Sequence, residues 1–308
     1  MNTTLEAAAP PRESAARLFL SVSRFHIVAI AALGTLTFGW LFTGTRPWAL
    51  AAVCALDWFI VNLLNRVVDL KEDTENAITG VGFVSRNRRA ILALGFGALA
   101  ASLVSVHLVL PQITLLRVAF HTLGFAYNWR LLPGGRRIKE LYFWKNTASA
   151  TGFVLTVFAY PLAVAGWGTD HAALAPGIQP ATIWLSGVFF VCFELSYEVI
   201  YDLRDAPGDR LAGVRTYPVV HGERTATRII DGLIAASLAA LVLGYATGLV
   251  PWRIACMALA PVINLVWYKR ALARGITSRD CIALTWAGAA LLVAYHLWVA
   301  LGLPGVDA

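Results

Sequence analysis

The chain has 308 residues, of which 58% are hydrophobic and only 14% charged, and its mean hydropathy is +0.66. Soluble domains carry about a quarter charged residues, so this composition excludes a disordered chain, a collagen and an ordinary cytosolic enzyme. The net charge of +7 has no soluble domain to display it, which argues against nucleic acid as a partner and makes the charge a topology signal in a membrane.

Residues 1–16 are polar, include Pro10 and Pro11, and read as a short cytoplasmic tail; 17–308 read as a single transmembrane domain. Apolar runs follow at about 18–42, 48–68, 90–110, 112–128, 143–166, 181–203, 226–249, 251–268 and 280–302. Each is long enough to span a bilayer or nearly so, which predicts an all-α bundle of about nine transmembrane helices. The fourth run is short and contains Arg117; Asp57 lies within the second. Of the 25 Lys and Arg residues, all but Arg46, Arg117 and Arg253 fall in the tail, the start of the first run, or the loops after runs 2, 4, 6 and 8. Cytoplasmic loops collect Lys and Arg, so the N-terminus is expected in the cytoplasm and the C-terminus outside. Loops 69–89, 130–145 and 204–224 then form a cytoplasmic cap. The Ala- and Arg-rich composition suggests a bacterial plasma membrane. The four cysteines form no C-x-x-C pair and the six histidines no ligand spacing, so neither a metal knuckle nor a disulfide frame is expected.

Nine of the 18 acids occupy two short windows, each at the cytoplasmic end of a run. The first window reads N-R-V-V-D-L-K-E-D, with Asn65, Asp69 and Asp73 four apart. On a helix each step of four advances about 40° and about 6 Å, so these side chains form one stripe. The second window carries Glu194, Glu198, Asp202 and Asp205, again on one helical face, and Pro207–Gly208 should end that helix near Asp205, with Asp209 approaching from a loop. The windows lie four runs apart, which suggests two pseudo-repeated four-helix halves plus a ninth helix. Carboxylates gathered at a membrane repel one another and are costly to bury. Two divalent cations offset that cost. Oxygen-only ligands favour magnesium, which commonly bridges carboxylates to substrate phosphates. Asn65, Asp69, Asp73, Asp205 and Asp209 are the candidate metal ligands. Arg137, Lys139, Lys145 and Arg215, in the neighbouring loops, are the candidate cations for a phosphate or diphosphate.

On these residues the chain resembles the UbiA superfamily of intramembrane prenyltransferases, over nearly its whole length. The family's first motif, N-D-x-x-D-x-x-x-D, is met by Asn65, Asp69 and Asp73, with Arg66 standing where the second aspartate is usual. The second motif is met by Asp205, Asp209, Gly213, Thr216 and Gly222. Tyr127, Arg137, Lys139, Lys145 and Asn146 are similar to the tyrosine and basic residues that family members carry after the fourth helix. The basic, proline-containing stretch that follows the family's first motif is replaced by T-E-N-A-I-T-G-V-G-F-V-S-R.

The resemblance implies magnesium-dependent transfer of a polyprenyl group from its allylic diphosphate to a small-molecule acceptor, expected to be aromatic. Aromatic faces are expected to stabilise the allylic cation. A carboxylate of the second stripe, Glu198 or Asp202, is expected to take the released proton. A terpene cyclase of the same superfamily and, in another class, a membrane transporter remain as competing readings.

Overall fold

A computed structural model describes residues 14–75 and 78–302 of the chain. The cytoplasmic tail expected over 1–16 lies almost entirely outside these residues. A short helix α1 (Ala15–Val22) leads into α2 (Phe25–Thr43) and α3 (Trp48–Val68). Two small helices, α4 (Leu70–Glu75) and α5 (Val81–Arg86), form the first connection over one end of the bundle. Then come α6 (Arg88–Val109), α7 (Thr114–Asn128), α8 (Trp144–Phe153) and α9 (Tyr160–Val164). The remaining helices are α10 (Pro180–Ala212), α11 (Tyr217–His221), α12 (Glu223–Ala246), α13 (Trp252–Ala255), α14 (Leu259–Leu272) and α15 (Ser278–Ala300). The described residues form no strand, only one isolated bridge between Leu132 and Arg136.

Among the described residues seven helices are long and apolar enough to cross a membrane: α2, α3, α6, the continuous run from α8 to α9, α10, α12 and α15. The segments expected as the fourth and eighth spans are helical but do not meet that measure. The fourth is the fifteen-residue α7, and the eighth is broken by a 3-10 turn between α13 and α14. Seven of the about nine expected spans thus meet that measure among the described residues. Apolar side chains project outward from these helices, among them Leu94, Leu108, Leu115 and Trp184. In water such a surface is an association hazard, whereas in lipid it is the ordinary exterior.

The main core joins α2, α3, the α8–α9 run, α10 and α12 through Phe38, Phe42, Trp58, Phe153, Phe158, Phe189 and Leu241. A second core joins α10 to α12, α14 and α15 through Ile200, Ile230, Ile234, Tyr268 and Leu284. Between α8 and α9 the helix widens to π geometry over Val154–Ala159, and the Tyr160 N–H donates to the Leu155 carbonyl. Pro161 explains the widening, because it has no N–H for the turn before it. Asp57 of α3 is fully buried and accepts from Arg117 (3.0 and 2.5 Å), His121 (3.0 Å) and Tyr160 (2.9 Å). The two intramembrane charges thus form an ion pair with each other, and that pair ties α7 to its neighbours.

Candidate active site

Both acidic windows come to the same end of the bundle. Asn65 sits in the last turn of α3, and Asp69 is the break between α3 and α4. The expected unbroken stripe is therefore bent at Asp69. Its repeat survives, because Asp69 N–H donates to the Asn65 carbonyl (2.9 Å) and Asp73 N–H to the Asp69 carbonyl (2.8 Å). All three side chains are buried.

The second window corrects an expectation. Helix α10 does not end near Asp205 but runs through Pro207 to Ala212, capped by Gly213 at φ 70°. Pro207 costs one backbone bond to the preceding turn, which a long packed helix tolerates, and the left-handed glycine supplies the actual stop. Asp209 therefore stands on the helix, one turn beyond Asp205, and not on a loop. Glu194, Glu198, Asp202, Asp205 and Asp209 all belong to α10.

The connection between α7 and α8 supplies cations to both motifs. Lys139 Nζ lies 2.7 Å from Asp69 and 2.6 Å from Glu72, and Arg137 lies 2.9 Å from Glu72. Lys145, on the first turn of α8, lies 2.7 Å from Asp202 and 3.3 Å from Asp209. Asn146 donates to the other Asp202 oxygen (2.8 Å), and Ser149 donates to Glu198 (2.7 Å). Arg204 pairs with its neighbour Asp205, and Arg66 with Asp73. Burial pushes the Asp69 carboxyl above the usual carboxylate range, against the pull of Lys139. Glu72 shares that lysine but is more exposed. There the burial cost is smaller than the pull of Lys139 and then Arg137, which together hold its carboxyl below the usual range.

These groups line one cavity of about 2920 Å³. Asn65, Asp69, Asp73, Tyr127, Arg137, Lys139, Lys145, Glu198, Asp202, Asp205, Asp209 and Arg215 all line it. Asn146 does not; it is buried behind Asp202 and holds that carboxylate in place. Away from the charged end the wall is apolar and aromatic, with Phe38, Trp58, Phe153, Phe189 and Phe193. Arg215 also faces the cavity and lies over the Tyr142 ring at 5.9 Å.

Three cavity groups escaped sequence reasoning. Ser149 follows Lys145 by four and shares its helix face, a spacing that could have revealed it. Glu72 lay within the first acidic window but off the four-residue stripe. Arg24, at the turn between α1 and α2, is the one non-glycine described residue with positive φ (49°), and no local sequence signal marks it.

Among the described residues no three His, Cys, Asp or Glu side chains are arranged to hold a metal ion, since the motif carboxylates are turned to basic partners. The donor set nonetheless fits a hard cation. Asn65 Oδ1 is buried without a hydrogen-bond partner beside Asp69, an orphan acceptor of the kind a cation satisfies, and magnesium needs only one or two carboxylates beside water and phosphate.

A model of the UbiA prenyltransferase family matches residues 22–292. The chain belongs to the UbiA prenyltransferase family. It is an integral membrane protein of an enzyme family. Digeranylgeranylglyceryl phosphate synthase of Methanopyrus kandleri is 29% identical over 258 residues, 79% of this chain and 84% of that one. A 4-hydroxybenzoate octaprenyltransferase of Aromatoleum aromaticum is 27% identical over 232 residues, 72% of this chain and 69% of that one. A UbiA homologue from Archaeoglobus fulgidus, solved bound to GPP and Mg2+, shares the fold with a TM-score of 0.67 at 15% identity. That match covers 92% of this chain and 99% of the other.

Proposed function

We propose that this UbiA-family protein transfers a prenyl group from an allylic prenyl diphosphate to a small-molecule acceptor, with Mg2+, at the cytoplasmic ends of its helices. The observation that carries the reading is the meeting of the two acidic motifs, each with its own lysine, at the charged end of one cavity whose remaining wall is apolar. The charged end suits a diphosphate and the aromatic wall an isoprenoid chain. The side of the membrane follows from the Lys and Arg excess in the loops at that end.

Asn65, Asp69, Asp73, Asp205 and Asp209 are the ligands proposed for the metal. Magnesium, when bound, supplies charge neutralisation to the departing diphosphate. Lys139, Lys145, Arg137 and Arg215 bind diphosphate oxygens, and Asn146 orients Asp202. The bond between the allylic carbon and its oxygen breaks with both electrons leaving on the diphosphate. Trp58, Tyr127 and Phe153 line the cavity and are the aromatic side chains proposed to stabilise the allylic cation. A nucleophilic atom of the acceptor forms the new bond. Glu198, oriented by Ser149, takes the proton the acceptor releases.

The test uses purified protein in detergent with Mg2+, allylic diphosphates of several lengths, and two acceptor classes: a hydroxybenzoate and a prenylated glyceryl phosphate. Diphosphate release and lipid products are followed by mass spectrometry. Metal-dependent release that requires one acceptor, and that is lost in Asp69→Ala and Asp209→Ala, is expected. Release without acceptor, giving a hydrocarbon or terpene alcohol, replaces this reading with internal capture of the cation. No metal-dependent release with any pairing refutes it.

A further inference from the structure

Arg66 is a guanidinium at the end of a membrane span with only 5% of its surface exposed, a placement that demands a fixed counter-charge. It has one. Its NH1 lies 2.8 Å from Asp73 Oδ2, and both side chains are buried. Its NH2 donates to the Ser21 carbonyl at the end of α1 (2.6 Å), and Ser21 Oγ donates in turn to the Thr79 carbonyl (2.9 Å). The guanidinium is thus held from two directions, by an acid and by a backbone carbonyl, which is a more rigid arrangement than a mobile surface pair. Asp69, one turn away, has its ion pairs with Lys139 and, more distantly, Arg137, both on the connection before α8. The two acids of the first motif therefore differ in kind. All three cations line the same cavity, but Lys139 and Arg137 come from a separate connection, whereas Asp73 is paired with a cation built into its own motif and tied to the α1 backbone. A divalent ion on Asp73 would meet the Arg66 guanidinium, a like charge 2.8 Å from that carboxylate in a buried place.

We propose that Arg66 withdraws Asp73 from the metal set, so that the first motif offers a divalent cation Asn65 and Asp69 alone, while Asp73 anchors Arg66 and through it the end of α1. This rests on the metal-diphosphate reading above and narrows its ligand set. Arg66, standing where a second aspartate is usual, then marks a site with fewer carboxylates for metal and one permanent cation in their place.

The experiment counts Mn2+ bound to the full-length protein in detergent, by equilibrium dialysis and electron paramagnetic resonance, in the presence of the unreactive analogue geranyl S-thiolodiphosphate. Asp69→Asn is expected to raise the Mn2+ dissociation constant about tenfold or more, and Asp73→Asn to change it less than about twofold. Asp73→Asn leaves Arg66 buried without its counter-charge, so the double variant Arg66→Gln/Asp73→Asn, which removes both charges, is measured beside it. It too is expected to keep its Mn2+ affinity. If either Asp73 variant loses Mn2+ as Asp69→Asn does, Asp73 is a metal ligand and the proposal is overturned while the metal reading stands. If Asp69→Asn also leaves Mn2+ binding unchanged, the metal reading falls and takes this proposal with it.

Discussion

Lys139, on the connection before α8, and Lys145, on the first turn of α8, serve different motifs, the first Asp69 and the second Asp202 and Asp209. Replacing Lys145 by Met leaves the buried Asp202 and the half-buried Asp209 without their shared cation. Loss of most diphosphate release is expected, on the order of a hundredfold, since a charge-assisted contact to the leaving group goes with it. Ser149→Ala removes only the hydrogen bond to Glu198, and a fall of about tenfold or less in product formation is expected, with release kinetics as the check. Burial raises the Asp69 carboxyl, so protons compete with metal there at a higher pH than at a free aspartate. The Mg2+ concentration for half-maximal rate is expected to climb as pH falls on the acidic side of neutrality. A Mg2+ titration at each pH tests this, and a flat dependence refutes it. At this scale the acidic stripes and the basic loop residues were legible, because carboxylates spaced by four and clustered cations are rare in so apolar a chain. The pairing between them was not, since Lys139 and Asp69 are 70 residues apart and only the fold brings them together.

Helices α3 and α6 show how packing steadies the first motif. A Cβ on Gly95 would lie 2.6 Å from the Leu64 side chain, directly before Asn65, whereas one on Gly97 meets nothing within 4 Å. Gly95→Ala is therefore expected to cost about 1–3 kcal/mol of stability and Gly97→Ala to be neutral or stabilising, readable as thermal midpoints in detergent. The Asp57–Arg117 pair makes a second case. Arg117→Leu leaves a buried carboxylate with only His121 and Tyr160, at an expected cost of about 3–5 kcal/mol. The double variant Asp57→Leu/Arg117→Leu is expected to be less damaged than Arg117→Leu alone. The apolar runs located the elements well, because length and hydropathy are local properties. The continuation of α10 past Pro207 was not legible. A proline predicts a boundary on average, and here the helix runs on through an exposed turn to the left-handed Gly213.

Across the whole molecule, the motif acids are balanced by resident cations: Asp69 by Lys139, Asp73 by Arg66, Asp202 and Asp209 by Lys145, and Asp205 by Arg204. The fold's stability is therefore expected not to depend on metal. Chelation by EDTA is expected to abolish turnover while moving the thermal midpoint by no more than a degree or two; a large drop would show that the bundle needs its ions. The convergence of two windows four spans apart was foreseen from charge placement alone, since both lay at the same ends of their helices. The count of spans was less legible, because α7 has only fifteen residues and the α13–α14 segment is broken by a 3-10 turn.

That internal balance also makes loading an exchange reaction. On the reading proposed above, a diphosphate that draws Lys139 and Lys145 toward itself strips Asp69 and Asp209 of their partners and is expected to raise their affinity for a divalent ion. An ion that takes those carboxylates first frees the two lysines for the diphosphate. Each ligand thereby removes the cost the other faces, and by thermodynamic reciprocity the two effects are equal in size. Donor substrate and magnesium are therefore expected to bind as a cooperative pair, each more weakly when the other is absent.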